Sequence, residues 1–111
     1  MPSTLDIEVL SNQMLEAAKG VFNEKWPEVR NFAESESKKF ISNMAEIALW
    51  RAKNEITEDE ARSLANLHKR SMKMVFTALE GISLAMAEKA INSAIDVIRH
   101  TINTAIGWAI L

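Results

Sequence analysis

The stretch Ile56-Thr57-Glu58-Asp59-Glu60-Ala61 (residues 56–61) contains a helix start that divides the chain into two arms. The Thr57 side chain can accept a hydrogen bond from the backbone N–H three residues on, and Glu60 can reach back to the Thr57 N–H. This pair of bonds is a capping box. The sequence therefore predicts a tight helix–helix turn at residues 54–57, followed by a helix that meets no proline before Leu111.

The first arm contains two predicted helices that meet at Pro27. Apolar residues recur at helical spacing in a helix that begins at Ser3 or Thr4 and ends near Lys25. Proline has no backbone N–H and disfavours helical geometry in the residue before it, so the first helix stops or kinks at this point. A second helix is predicted from Pro27 to the turn, and we expect it to continue through the wholly polar stretch 34–39.

The apolar stripe of the second arm changes direction between Leu84 and Ile91. The later apolar residues lie roughly 130° further round the helix than the earlier ones, at 100° per residue. A continuous helix drifts by only about 20° per heptad. The helix therefore either breaks near Gly81 or stays continuous and exchanges one neighbour for another. In the continuous form a second apolar direction needs a cover that one hairpin cannot supply, which indicates self-association.

We predict an all-α fold with one domain at residues 1–111. The leading model is a long antiparallel helical hairpin, with a Pro27-kinked first arm and a long C-terminal helix, that associates into an oligomeric helical bundle. The alternative is a compact four-helix up-down bundle with a break near Gly81. The hairpin register places Phe32 opposite Gly81. Five residues of the last helix are predicted to form the interface: Ile91, Ile95, Ile98, Ile102 and Trp108.

Two polar residues interrupt apolar stretches and are candidate functional residues. His68 lies at the centre of the first stripe of the second arm, where a register-fixing histidine is the favoured interpretation and a metal ligand or proton switch the alternative. Glu80 interrupts the most apolar run, so it is either a desolvated carboxylate or a residue neutralised by Lys73 or by a partner chain. Met74 and the other methionines on these stripes are predicted to fill the core.

Composition excludes several classes of protein. The net charge of −2 gives no general attraction to nucleic acid, and the absence of cysteine excludes disulfides and thiolate metal sites. Asp6 and Glu8 lie where a signal peptide would be basic and apolar, which favours a cytoplasmic location.

A local basic strip stands out against the negative net charge of the protein. It comprises Arg62, Lys69, Arg70 and Lys73.

The pattern contains no signature of chemistry, so we expect no catalytic residue, no cofactor and no metal site. The leading functional hypothesis is a non-enzymatic, homo-oligomeric helical protein that acts as a scaffold, adaptor or small regulatory subunit and has a protein partner. A membrane-associated or membrane-active protein is the second hypothesis, because residues 106–111 form an apolar tip that frays unless it is docked. A carboxylate/histidine metal-binding bundle is the third hypothesis.

Overall fold

The structure is a computed structural model that describes residues 5–111. Four α-helices account for most of this range: α1 (Ile7–Phe22), α2 (Trp26–Ala52), α3 (Glu58–Thr77) and α4 (Leu84–Ile106). A short 3-10 helix, Asn23–Lys25, joins α1 to α2. The all-α prediction is confirmed, and the form observed is the predicted alternative with a break near Gly81.

The long C-terminal helix of the hairpin model is wrong. α3 ends at Thr77, and the chain then turns over residues 78–83 before α4 begins. Gly81 has a φ of +82°, a left-handed conformation that glycine adopts without a side-chain clash. The Ser83 hydroxyl then accepts a hydrogen bond from the Met86 backbone N–H at 3.1 Å, which caps α4. The change in stripe direction is therefore the signature of this turn.

The turn between α2 and α3 agrees with the sequence prediction. Both bonds of the capping box are present: Glu60 N–H donates to Thr57 Oγ1 at 3.2 Å, and Thr57 N–H donates to Glu60 Oε1 at 2.9 Å. Asn54 adopts a φ of +56°, and the Glu55 N–H bonds back to the Trp50 carbonyl at 2.8 Å. These contacts close the end of α2 and start α3 in the opposite direction.

The first helix ends earlier than predicted, at Phe22. Its predicted start at Ser3 or Thr4 lies outside the described residues, and within them α1 is capped by Asp6, whose side chain accepts from the Val9 N–H at 3.1 Å. The reversal comes at the 3-10 helix, before Pro27, which occupies the first turn of α2 as proline readily does. The polar stretch 34–39 is continuous helix, as expected.

The four helices form an up-down-up-down bundle. α1 packs against α2 and α4, and α3 packs against the same two helices from the opposite corner. Phe22 at the end of α1 and Phe76 at the end of α3 have ring centroids 5.4 Å apart, so these ends lie together. The fully buried large side chains come from α1, α2 and α4: Met14, Phe22, Val29, Phe40, Ile41, Met44, Ile47, Ile95, Ile98 and Ile102.

Candidate interaction surface

The predicted interface isoleucines lie inside the bundle. Ile95, Ile98 and Ile102 are at most 1% exposed, and Ile91 is 6% exposed. They pack in the core of their own chain, because the break at Gly81 lets α4 turn this face inward. Because no second chain is needed to cover these side chains, the apolar stripe of α4 does not indicate self-association.

The apolar segment after α4 folds back onto the same chain. α4 ends at Ile106 with Gly107 as its C-cap, and the Asn103 Oδ1 atom accepts hydrogen bonds from the N–H groups of Ile110 and Leu111 at 3.1 and 3.0 Å. Ile110 is buried as a result. The observation that suggested a membrane contact thus has an explanation within the bundle. No helix within residues 5–111 is long and apolar enough to cross a bilayer.

Trp108, the fifth predicted interface residue, is half-buried against α2. The Arg51 guanidinium lies 3.8 Å from the centroid of the Trp108 ring, and Arg51 Nε donates to the Ile106 carbonyl at 2.8 Å. The cation therefore stacks on the indole face and also caps the last turn of α4. These two contacts join the end of α2 to the segment that follows α4.

His68 lies at the contact between α2 and α3. Its Nδ1 atom is 3.1 Å from the Asn43 amide nitrogen, which can only donate, so the neutral ring carries its proton on Nε2. Partial burial lowers the pKa of His68 below its ordinary value of 6.5, and the Glu46 carboxylate opposes this shift. One hydrogen bond therefore joins His68 to α2 across the helix pair, and its role in fixing the register stays a prediction.

Glu80 is exposed in the turn between α3 and α4, so the desolvated carboxylate predicted there is wrong. Lys73 does not neutralise it either. The Lys73 ammonium pairs with Glu88 of α4 at 2.7 Å. Phe32 and Gly81 are not brought together as predicted: a Cβ built at Gly81 would have only atoms of the Lys25 side chain within 4 Å. The break that moved these residues from a helix into a turn accounts for both errors.

The most exposed apolar side chains of α3 lie on one stripe. Met74 is 71% exposed and Leu67, one heptad earlier, is 52% exposed. The prediction that Met74 fills the core is wrong. Spacing of three, four and seven residues places exposed Glu60, Ser63 and Arg70 on this side of the helix as well. We call this stripe, residues 60, 63, 67, 70 and 74, the outer face of α3.

A groove opens beside the start of the outer face, where α2 meets α3. Its apolar lining comes from half-buried Trp50, Ile56 and Leu64, and its volume is about 600 Å³. Acidic side chains rim this groove: Glu55, Asp59 and Glu60. An apolar floor with an acidic rim is complementary to an apolar side chain that is surrounded by positive charges.

Charge is separated along α3. Its first turn is acidic, with Glu58, Asp59 and Glu60, whereas its second half carries Lys69, Arg70 and Lys73. Arg62 belongs to the acidic end, because it pairs with Glu58 at 2.7 Å and with Asp59 at 3.3 Å. The predicted basic strip is therefore shorter than expected and begins at Lys69.

Sequence reasoning missed one buried charge. The Glu36 side chain is 8% exposed and pairs with Lys39 at 3.2 Å. The signal was present, because Glu36 falls on the same helical stripe as Val29, Ala33 and Phe40. In the part of the chain that the structure describes, no three His, Asp or Glu side chains come close enough to hold a metal.

The chain was also compared with known proteins. No protein-family model, no curated protein and no solved structure matches it.

Proposed function

We propose that this protein acts without catalysis as a homo-oligomeric helical bundle, in the role of a scaffold, adaptor or small regulatory subunit, and that the second copy docks on the outer face of α3. The observation that supports this proposal is the pair of exposed apolar side chains, Leu67 and Met74, on a helix with one acidic and one basic end. The surface first predicted for association, on α4, is replaced by this one.

A two-fold axis perpendicular to α3 makes the surface complementary to itself. Two copies related in this way run antiparallel, so the same patch serves on both sides of the interface. The acidic end of each outer face, at Glu60, then meets the basic end of the other, at Arg70. With the axis level with Ala65, Glu60 lies opposite Arg70 of the second copy, and Ile56 lies opposite Met74 of the second copy.

This register gives Met74 an acceptor site. The groove lined by Trp50, Ile56 and Leu64 lies where the second copy's Met74 arrives. A flexible thioether side chain fills an irregular apolar groove and makes favourable contacts with an aromatic ring edge. Removing the Met74 and Leu67 side chains from water stabilises the pair at about 25 cal/mol per Å² of apolar surface.

The mass in solution tests the proposal. Sedimentation equilibrium over a range of protein concentrations should show a reversible dimer, and Met74→Asp should shift it to monomer while the circular dichroism spectrum keeps its helical form. The matched control is Val97→Asp, which places the same charge on an exposed apolar site of α4. The control should dimerise like the parent protein.

A second variant separates charge pairing from helix capping. Glu60→Gln removes the charge but keeps a side chain that completes a capping box. It should weaken dimerisation and reduce its dependence on salt, with little change in monomer stability. A parent protein that stays monomeric at every concentration, or equal dimerisation of the Met74→Asp and Val97→Asp variants, would refute the proposed interface.

A further inference from the structure

A second groove lies on the other side of α3, between α3 and α4. It has a volume of about 380 Å³, within the usual range of small-ligand sites. Buried Ile91 contributes to its floor. Its polar lining brings together both helices: Asn66, Lys69, Arg70 and Lys73 from α3, with Glu88 and Asn92 from α4.

The cations of this groove outnumber its carboxylates. Glu88 is paired with Lys73 at 2.7 Å. Among residues 5–111, no carboxylate lies within ion-pair distance of Lys69 or Arg70. Lys69 and Lys73 are four residues apart on one helix, an arrangement of like charges that destabilises a helix unless something neutralises it. The groove therefore holds uncompensated positive charge on a protein whose net charge is −2.

We infer that this groove binds the phosphate group of a small phosphorylated ligand. A phosphate presents several acceptor oxygens and about two negative charges, which suits two ammonium groups, one guanidinium fork and two side-chain amides. A monoanion is a poorer fit, because it must compete with Glu88 for Lys73. A dianion compensates both lysines when that ion pair opens.

The groove belongs to one chain, so it does not depend on self-association. Arg70 lies at its outer edge and is also the residue that the proposed dimer places opposite Glu60. Lys69 and Lys73 are half-buried on the α4 side and take no part in that pairing. Variants at Lys69 and Glu88 therefore test the phosphate site without disturbing the proposed dimer.

Titration with inorganic pyrophosphate at constant ionic strength, followed by backbone amide NMR signals, tests the inference. The signals of residues 66–73 and 88–92 should shift and saturate. Lys69→Gln should weaken binding by roughly fivefold to tenfold. Glu88→Gln should act in the opposite direction and tighten binding, because it frees Lys73. The control is Lys89→Gln, a neighbouring exposed lysine outside the groove, which should bind like the parent protein.

Vesicles distinguish the two sources of a phosphate group. Phosphatidylcholine vesicles with added phosphatidic acid should leave the protein in the supernatant if the ligand is a free phosphate compound. If the protein instead sediments with these vesicles and Lys69→Gln abolishes this sedimentation, the same site binds a lipid headgroup. Two results would overturn the inference in the absence of vesicle binding. One is that the NMR shifts never saturate with pyrophosphate. The other is that Lys69→Gln and Lys89→Gln weaken pyrophosphate binding equally.

Discussion

α4 and α3 differ in how completely the bundle covers their apolar residues. α4 buries eight of its 23 residues, and five of these are isoleucines on one stripe. α3 buries four of its 20 residues, two of them alanines. Leu67 and Met74 lie outside the side of α3 that faces the bundle, so they remain in solvent. The comparison shows that one helix holds the fold together while the other presents a surface.

The largest expected effect contrasts one residue from each helix. Ile98→Ala removes a fully buried side chain from α4 and should lower the free energy of unfolding by about 2–5 kcal/mol. Leu67→Ala truncates an exposed side chain of α3 and should change monomer stability by less than about 0.5 kcal/mol. Denaturant unfolding at low protein concentration measures both values. Equal losses in the two variants would mean that α3 is packed as closely as α4.

The sequence predicted the helical class and the turn before α3 because both depend on local interactions. The Thr57 cap needs only residues three apart, and the structure confirms it. The second turn was harder to place. Ser83 caps α4 with a single hydrogen bond, without the reciprocal partner that makes a capping box recognisable. The phase change of the apolar stripe marked this turn, but the same change also fits a continuous helix with two neighbours.

The candidate site was less predictable than the fold. The exposure of Met74 could have been read from the helical period, because Met74 is two residues after buried Met72 and so lies about 160° away from it round the helix. The groove beside Trp50 arises only when the end of α2 and the start of α3 come together across the turn. Polar pairs between helices, such as Lys73 with Glu88, likewise require the bundle order, which the hairpin model had wrong.

The second prediction concerns the turn that separates α3 from α4. Gly81→Ala should destabilise the protein by about 1–2 kcal/mol, because a Cβ is unfavourable at a φ of +82°. Gly20→Ala is the matched substitution inside α1, where an added Cβ would meet nothing within 4 Å. It should stabilise the protein by about 0.5–1 kcal/mol. Thermal or denaturant unfolding measures the change in stability for both variants. Stabilisation by Gly81→Ala would contradict the turn and favour the continuous helix.

The smallest expected effect tests the contact of α3 with α2 through pH. The pKa of His68 is lowered in the folded state, so the unfolded chain binds the proton more readily. Stability should therefore fall as the pH drops through 6.5, the ordinary pKa, and stop falling below the folded pKa. His68→Gln should reduce the stability difference between about pH 7.5 and about pH 5.5, a window above the usual pKa range of carboxylates.

Asn43→Ala is the control: it removes the hydrogen bond but leaves the ring partly buried, and burial is the main cause of the pKa shift. Its pH dependence should match that of the parent protein. Loss of the effect in Asn43→Ala would mean that the hydrogen bond, rather than burial, causes the shift. If His68→Gln left the pH dependence unchanged, the titrating group would lie elsewhere, and this contact would not make α3 sensitive to pH.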